Sequence, residues 1–307
     1  MKRLKAHPSN SRLRRQLTLQ AMVWPALICM IVFTYLPYYG LVIAFKSYTV
    51  MDTMQTAAWV GVDNFLTAFR DQFFWNSVFN TLGISILKLL IGFPLPIIVA
   101  VLIWNMRGWF KQSASVISYL PHFLSWVVLG GMMTTWLSTT GILSKILLLF
   151  GIISTPTNFL INANQYWWVA VLSDVWKETG WNTIIYTAAL SGIDPTYYEA
   201  ARIDGAGRLR QFWSITLPML RRIIALNFIL TIGGLLGSNL DQAMVLINPL
   251  NRSKAEVINS YVFNVGLQQG DFGYSTAVGL FVSVISLLLV LFANVFTKKL
   301  NDNETVF

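Results

Sequence analysis

Long apolar stretches, each about as long as a bilayer crossing, alternate along this chain with short polar segments. A hydrocarbon core of about 30 Å requires about 20 apolar helical residues. Six segments satisfy that requirement: residues 19–45, 78–104, 115–137, 167–190, 223–246 and 276–296. The second is interrupted by Lys88, and the fourth is unusually polar. Residues 141–152, GILSKILLLFGI, are too short to span, and their pattern predicts an amphipathic helix lying at the interface. The expectation is an all-α integral membrane fold, with one membrane domain over 19–300 and tails at 1–18 and 301–307. No internal repeat is evident, so an inverted-repeat carrier gains no support.

Composition agrees. The 307 residues are 55% hydrophobic and 11% charged, against about 25% charged in soluble domains. The net charge of +9 comes from Lys and Arg at span ends, which points to orientation in the membrane and not to nucleic acid. With the N terminus inside, the inner segments carry Lys2, Arg3, Lys5, Arg12, Arg14, Arg15, Arg107, Lys111, Arg202, Arg208, Arg210, Arg221, Arg222, Lys298 and Lys299. The outer segments carry only Lys46, Arg70, Lys145, Arg252 and Lys254. The positive-inside rule therefore places both termini in the cytoplasm. Trp59, Trp75, Trp104, Trp109, Trp167 and Trp168 lie near span ends, where interfacial aromatics belong. The basic N terminus resembles a signal peptide. However, residues 16–45 hold no charge, exceed an ordinary h-region and are followed by no A-x-A site, so a retained first helix is expected.

Catalytic chemistry finds little footing. The chain has no G-x-x-x-x-G-K-[ST] loop, and Gly205–Gln211 lacks both the lysine and the preceding strand, so it should not hydrolyse ATP. H-E-x-x-H and G-x-S-x-G are absent, His7 and His122 form no metal-ligand pattern, and Cys29 reads as a structural thiol. In the fourth span, Asp174, Lys177 and Glu178 share one helical face. They form either the wall of a pathway, with Trp181 and Asn182 supplying stacking and hydrogen bonds, or a structural ion pair. Asn239, Asp241 and Gln242 close the fifth span, where they meet sugar hydroxyls or simply reach water. Gly233-x-x-x-Gly237 predicts close helix packing, Pro94 and Pro96 predict a kink in the second span, and Lys88 snorkels or pairs.

The most informative segment is YYEAARIDGAGRLRQFWSITLP, residues 197–218. It is polar, helix-patterned and set between apolar spans, so it lies in water beside the membrane. Asp194 suits an N-cap and Pro195 a first turn, while Thr196-x-x-Glu199 offers a competing capping box. Ala200 and Ala201 make a smooth face, and Gly205 suits the left-handed stop of a helix. A second helix follows on Leu209, Phe212, Trp213 and Ile215, and Pro218 ends it or starts the fifth span. Such a hairpin either docks a soluble partner or lies on anionic lipid through Arg202, Arg208 and Arg210.

EAARIDGA followed by FWSITLP resembles the EAA loop of permease subunits in binding-protein-dependent ABC importers, with Glu199, Ala200, Ala201, Asp204, Gly205, Ala206, Phe212, Ile215, Leu217 and Pro218 all in place. YLPYYGLVIAFKSY, WVGVDNF, GFPLPIIVA, YLPHFLSWVV and WKETGWNTIIYTAALSGIDP extend the resemblance over nearly the whole chain. They resemble the B-type carbohydrate permeases of importers for complex oligosaccharides and polysaccharide-derived sugars. Met219 stands where that family has glycine, and NSYVFNVGL, residues 259–267, matches more loosely.

The resemblance implies a six-helix type I ABC importer permease in a bacterial cell membrane, with residues 194–218 forming a cytoplasmic coupling loop. Its implied partners are a second homologous permease, two copies of a cytoplasmic ABC ATPase, an extracytoplasmic sugar-binding protein and an oligosaccharide. No cofactor is expected on this chain, since ATP and magnesium belong to the ATPase. Two other readings are an ion- or proton-coupled carrier built on Asp174, Lys177 and Glu178, and a scaffold that only recruits a soluble protein.

Overall fold

The computed structural model describes residues 10–237 and 240–300. The tails at 1–9 and 301–307 and the expected site residue Asn239 lie outside the described residues. The chain is a helical bundle. Helix α1 (Asn10–Met30) runs without a stop through a π-helical turn (Ile31–Tyr35) into a 3-10 segment (Leu36–Phe45). Helical structure thus begins inside the expected tail. A two-stranded antiparallel ribbon (Lys46–Ser47 with Ala58–Trp59) and α2 (Asp63–Arg70) follow. Next come α3 (Gln72–Gly92) and α4 (Pro94–Asn105), which together make a 34-residue apolar helix interrupted at Phe93. Pro94 and Pro96 sit in the first turn of α4, where a missing N–H costs least.

The third span differs from the sequence expectation. It is two helices, α5 (Gly108–Tyr119), prolonged by a 3-10 turn to Phe123, and α6 (Trp126–Trp136), which meet at 99°. Pro121 withdraws a backbone donor, and the Ser125 hydroxyl caps the Val128 N–H at 3.3 Å, so a new helix starts in a new direction. The short α7 (Ile142–Leu149) follows, and then the long, polar α8 (Ala163–Ser191). After α9 (Pro195–Ile203), α10 (Arg208–Gln211) passes through a π-helical turn (Phe212–Thr216) into α11 (Leu217–Gly233).

The second arm of the hairpin is therefore no separate helix; it is the start of a continuous rod, Arg208–Gly233. Pro218 neither stops nor starts the rod. The turn before it widens, with the Leu217 N–H donating to the Phe212 carbonyl five residues back. The expected fifth span, 223–246, also breaks. Gly233 ends α11, and α12 (Leu240–Leu246) is a separate helix. Gly233 does pack closely, since a Cβ there would lie 3.1 Å from Val290, but Gly237 belongs to the break. The chain ends with α13 (Arg252–Ala255), α14 (Ile258–Phe263), a π-helical turn (Asn264–Gln268) and α15 (Phe272–Leu300).

Four helices are long and apolar enough to cross a membrane, or five if the bent pair is one span, among the described residues. α8 is long enough but too polar for that test, and its polarity serves the site below. One apolar cluster joins α3, α6, α8 and α12 around Leu129, Val171 and Leu246, and another joins α4, α8 and α11 around Ala100, Tyr186 and Leu190. α5 and α8 meet so closely at Gly180 that a Cβ there would lie 1.8 Å from the Ser118 carbonyl oxygen, so no other residue fits. The ends of α3, α13 and α14 are knitted by polar side chains. The Asn80 amide donates to the Ser253 and Glu256 carbonyls at 3.0 and 3.1 Å, and the Ile258 N–H donates to Thr81 Oγ1 at 2.8 Å. Residues 16–35 of the first helix, by contrast, are exposed throughout.

Candidate functional site

Two places stand out, one within the bundle and one at its end. Within the bundle, α3, α8, α11 and the break at Gly234–Gly237 enclose a polar cavity of about 310 Å³. Lys88 projects from α3 and pairs with Asp174 Oδ2 of α8 at 3.4 Å, and it donates to Gln242 Oε1 of α12 at 2.9 Å. Gln242 in turn donates to the Ala170 carbonyl at 2.7 Å and to Ser173 Oγ at 2.9 Å. Ser85 donates to the Leu235 carbonyl at 2.6 Å, satisfying an acceptor at the helix break. The lysine that sequence left open thus holds the broken fifth span against α8.

One turn along α8, Glu178 accepts from Lys177 Nζ at 2.7 Å and faces His122 Nδ1 at 2.6 Å. Lys177 also donates to the His122 carbonyl at 2.9 Å, and the His122 ring stacks flat on Trp181 at 4.3 Å. This network fastens the bend between α5 and α6 to the polar span. Charges in hydrocarbon persist when matched, and here Lys88 matches Asp174 while Lys177 matches Glu178.

The three charges expected on one face of the fourth span are therefore divided. Asp174, Glu178 and Asn182 line the cavity. Lys177 is buried against the bend, and Trp181 packs on His122. Asp241 is exposed on α12 away from the lining, whereas its neighbour Gln242 is buried in the Lys88 network. Sequence reasoning passed over Asn227 and Thr231, which face the cavity from α11. It also passed over His122, whose partner lies 56 residues away. Asn227 and Thr231 lie four apart on one helical face, a signal that was readable. Thr179 Oγ1, also at the cavity, is buried without a partner among the described residues. Amides and hydroxyls that both donate and accept, lining this cavity, match the chemistry of sugar hydroxyls. No group of three His, Cys, Asp or Glu side chains forms a metal site among the described residues.

At the end of the bundle, α9 is built as the sequence predicts. Asp194 caps it, accepting from the Thr196 N–H at 2.9 Å, a bond that holds its carboxyl below the usual range. The competing capping box is not the one used. Gly205 stops the helix at φ +73°. The Ala206 N–H reaches back to the Ala201 carbonyl at 2.8 Å, the six-to-one bond of a Schellman stop. Gln211 Nε2 then donates to the Ala206 carbonyl at 2.7 Å, and the Tyr198 and Thr216 hydroxyls meet at 3.0 Å. These two bonds tie α9 to the foot of the rod. α9 buries none of its own residues. Glu199, Ala200, Asp204 and Gly205 are exposed, and Ala201 and Ala206 are half-buried. Leu217 and Pro218 sit apart from that face, at the widened turn of the rod.

A family model described as binding-protein-dependent transport system inner membrane component matches residues 92–302. The chain is 39% identical to the polygalacturonan/rhamnogalacturonan transport system permease protein YteP of Bacillus subtilis (strain 168), covering 95% of this chain and 91% of the relative. It is 38% identical to Protein LplB of the same organism, covering 96% and 92%. Among solved structures, it superposes with a TM-score of 0.85 and 34% identity on a chain of a bacterial ABC transporter involved in the import of the acidic polysaccharide alginate, covering 94% of this chain and 98% of that one. A chain of a bacterial alginate ABC transporter in complex with an alginate pentasaccharide-bound periplasmic protein gives a TM-score of 0.86 and 33% identity, with 96% and 99% covered.

Proposed function

Since the chain belongs to the inner-membrane components of binding-protein-dependent transport systems, we propose that it is the permease subunit of an ATP-driven importer for complex oligosaccharides. It is not itself an enzyme; a partner ATPase spends the ATP, with its magnesium. Relatives and structural neighbours named for polygalacturonan, rhamnogalacturonan and alginate support a polysaccharide-derived sugar. An alginate transporter bound to a sugar-loaded periplasmic protein supports an extracytoplasmic binding protein as donor. The remaining partners are a second homologous permease, supplying the other half of the pathway, and two ATPase copies below. Both termini and the hairpin face the cytoplasm.

The observation that carries the coupling role is the bare, doubly capped α9 fused to a rod that reaches the cavity. The rod has 26 residues, about 39 Å at about 1.5 Å per residue. Glu199, Ala200, Ala201, Asp204, Gly205 and Ala206 form the seat in the ATPase groove, and Leu217 and Pro218 set the angle at which the rod leaves it. When the ATPase dimer closes, α9 moves with it. The rod carries that displacement to the Gly234–Gly237 break, where Asn227 and Thr231 face Asn182 and Asp174 across the cavity. Lys177 and Trp181 act one step removed, holding the bend at His122, and Asp241 belongs to the outer mouth. Moving an access equilibrium from 1:99 to 99:1 takes about 5.5 kcal/mol of differential binding, a reasonable yield for one seated helix on each permease.

The ion-coupled carrier is not favoured by the relatives, and each of its carboxylates already has a cation beside it. Reconstitution separates the two readings. Vesicles holding both permeases, the ATPase and the binding protein are expected to take up oligosaccharide only with ATP. Vesicles holding this chain alone should take up none under a proton or sodium gradient. Gradient-driven uptake by the single chain would exclude the proposal.

A further inference from the structure

A second cavity, of about 1040 Å³, opens between the α4–α5 turn and the hairpin. Arg107, Arg202 and Arg208 line it, and no carboxylate does among the described residues. None of these three arginines has a hydrogen-bond or ion-pair partner there either. Arg107 is also the N-cap of α5 and caps it with no side-chain bond, leaving that positive helix end open. Three unmatched guanidinium groups around one hollow call for an anion, and planar guanidinium geometry suits phosphate.

The position of the hollow says which phosphate reaches it. It lies at the end of the apolar helix Gln72–Asn105, and Trp104 and Phe110 are part of its wall. Trp109 stacks on Phe110 at 4.2 Å, and both rings are exposed beside the arginines. Leu102 and Met106 continue the apolar surface along α4. Aromatic rings and basic side chains at one level of a bundle mark the headgroup layer.

We propose that this cavity binds a phosphate group, supplied by the headgroup of an anionic phospholipid whose chains run along α4. Arg107 comes from the span side and Arg202 and Arg208 from the hairpin, so one bound headgroup joins α9 to the bilayer surface. Ordering of the hairpin then depends on anionic lipid. This goes beyond the transport reading, and it is tested on the full chain without an ATPase, so either can fail alone.

The test is lipid retention by native mass spectrometry of the purified full chain, with phosphatidylglycerol, phosphatidylcholine and inorganic phosphate as probes. The wild type is expected to hold one phosphatidylglycerol and no phosphatidylcholine at the same concentration. Affinity should fall about fivefold for each arginine removed, in Arg107→Gln and then Arg107→Gln/Arg208→Gln. Arg107→Lys, which keeps the charge, should retain most of it. Thermal unfolding in neutral detergent, matched to wild type, shows that the variants are folded. Retention of phosphatidylglycerol against millimolar inorganic phosphate assigns the site to lipid, and displacement assigns the same phosphate chemistry to the free ion. Unchanged binding of both probes in the folded double variant overturns the proposal.

Discussion

Gly205→Val is expected to uncouple transport while leaving the subunit inserted and assembled. The glycine holds φ +73° at the stop of α9, a conformation that costs a β-branched residue about 1–2 kcal/mol. α9 has no buried residue to hold it in place against that strain. The six-to-one bond from Ala206 to Ala201 is then lost, and with it the fixed angle between α9 and the rod. Since about 1.4 kcal/mol is a factor of ten, sugar uptake and transport-stimulated ATP hydrolysis should both fall on the order of tenfold. Gly205→Asn, which tolerates the left-handed region, should retain most of both. Equal activity of the valine and asparagine variants in assembled complexes would show that this backbone angle is not what transmits motion.

The second large effect lies in the membrane. Lys88→Met removes the cation beside Asp174, whose side chain is 16% exposed in the structure, and the donor to Gln242 Oε1 as well. Breaking a buried pair from one side costs about 3–5 kcal/mol, because the remaining charge loses its counter-ion. The chain should therefore unfold at markedly lower temperature in detergent. Lys88→Met/Asp174→Leu removes both charges and should recover most of the loss. If the double variant is as unstable as the single one, the Gln242 bond, and not the ion pair, holds α12 in place.

The helices were legible because hydrocarbon demands apolar length, and each predicted segment contains one, although only four, or five with the bent pair, are long and apolar enough to cross a membrane among the described residues. The two breaks were not. Pro121 and Ser125 sit inside an apolar run that reads as one span, although a proline followed by a capping serine is the mark of a restart. Gly233-x-x-x-Gly237 has the spacing of a packing motif, and only Gly233 packs. The other glycine lies in the break beyond the end of α11, and Ser85, far away in sequence, satisfies the Leu235 carbonyl there. The first arm of the hairpin was readable to single residues, since the Asp194 carboxyl caps a backbone N–H two residues on and Gly205 acts through its own backbone; the second arm, expected as a separate helix, was not. Asp174 and Asn182 were found because polar residues are costly in a span. The pairing of Lys88 with Asp174 and Gln242, and the clamp of His122 on Glu178, join residues far apart in sequence, and no spacing rule encodes such pairs.

The central claim is that α9 lies in the cytoplasm, gripped by an ATPase. Cys29 is the chain's one cysteine, so Cys29→Ser/Ala200→Cys offers a single thiol on the exposed face of α9. Its labelling by a membrane-impermeant maleimide is the direct measurement. Labelling is expected from the cytoplasmic side only, with strong protection once the ATPase is bound. Labelling from the outer side, or a rate unchanged by the ATPase, would contradict it.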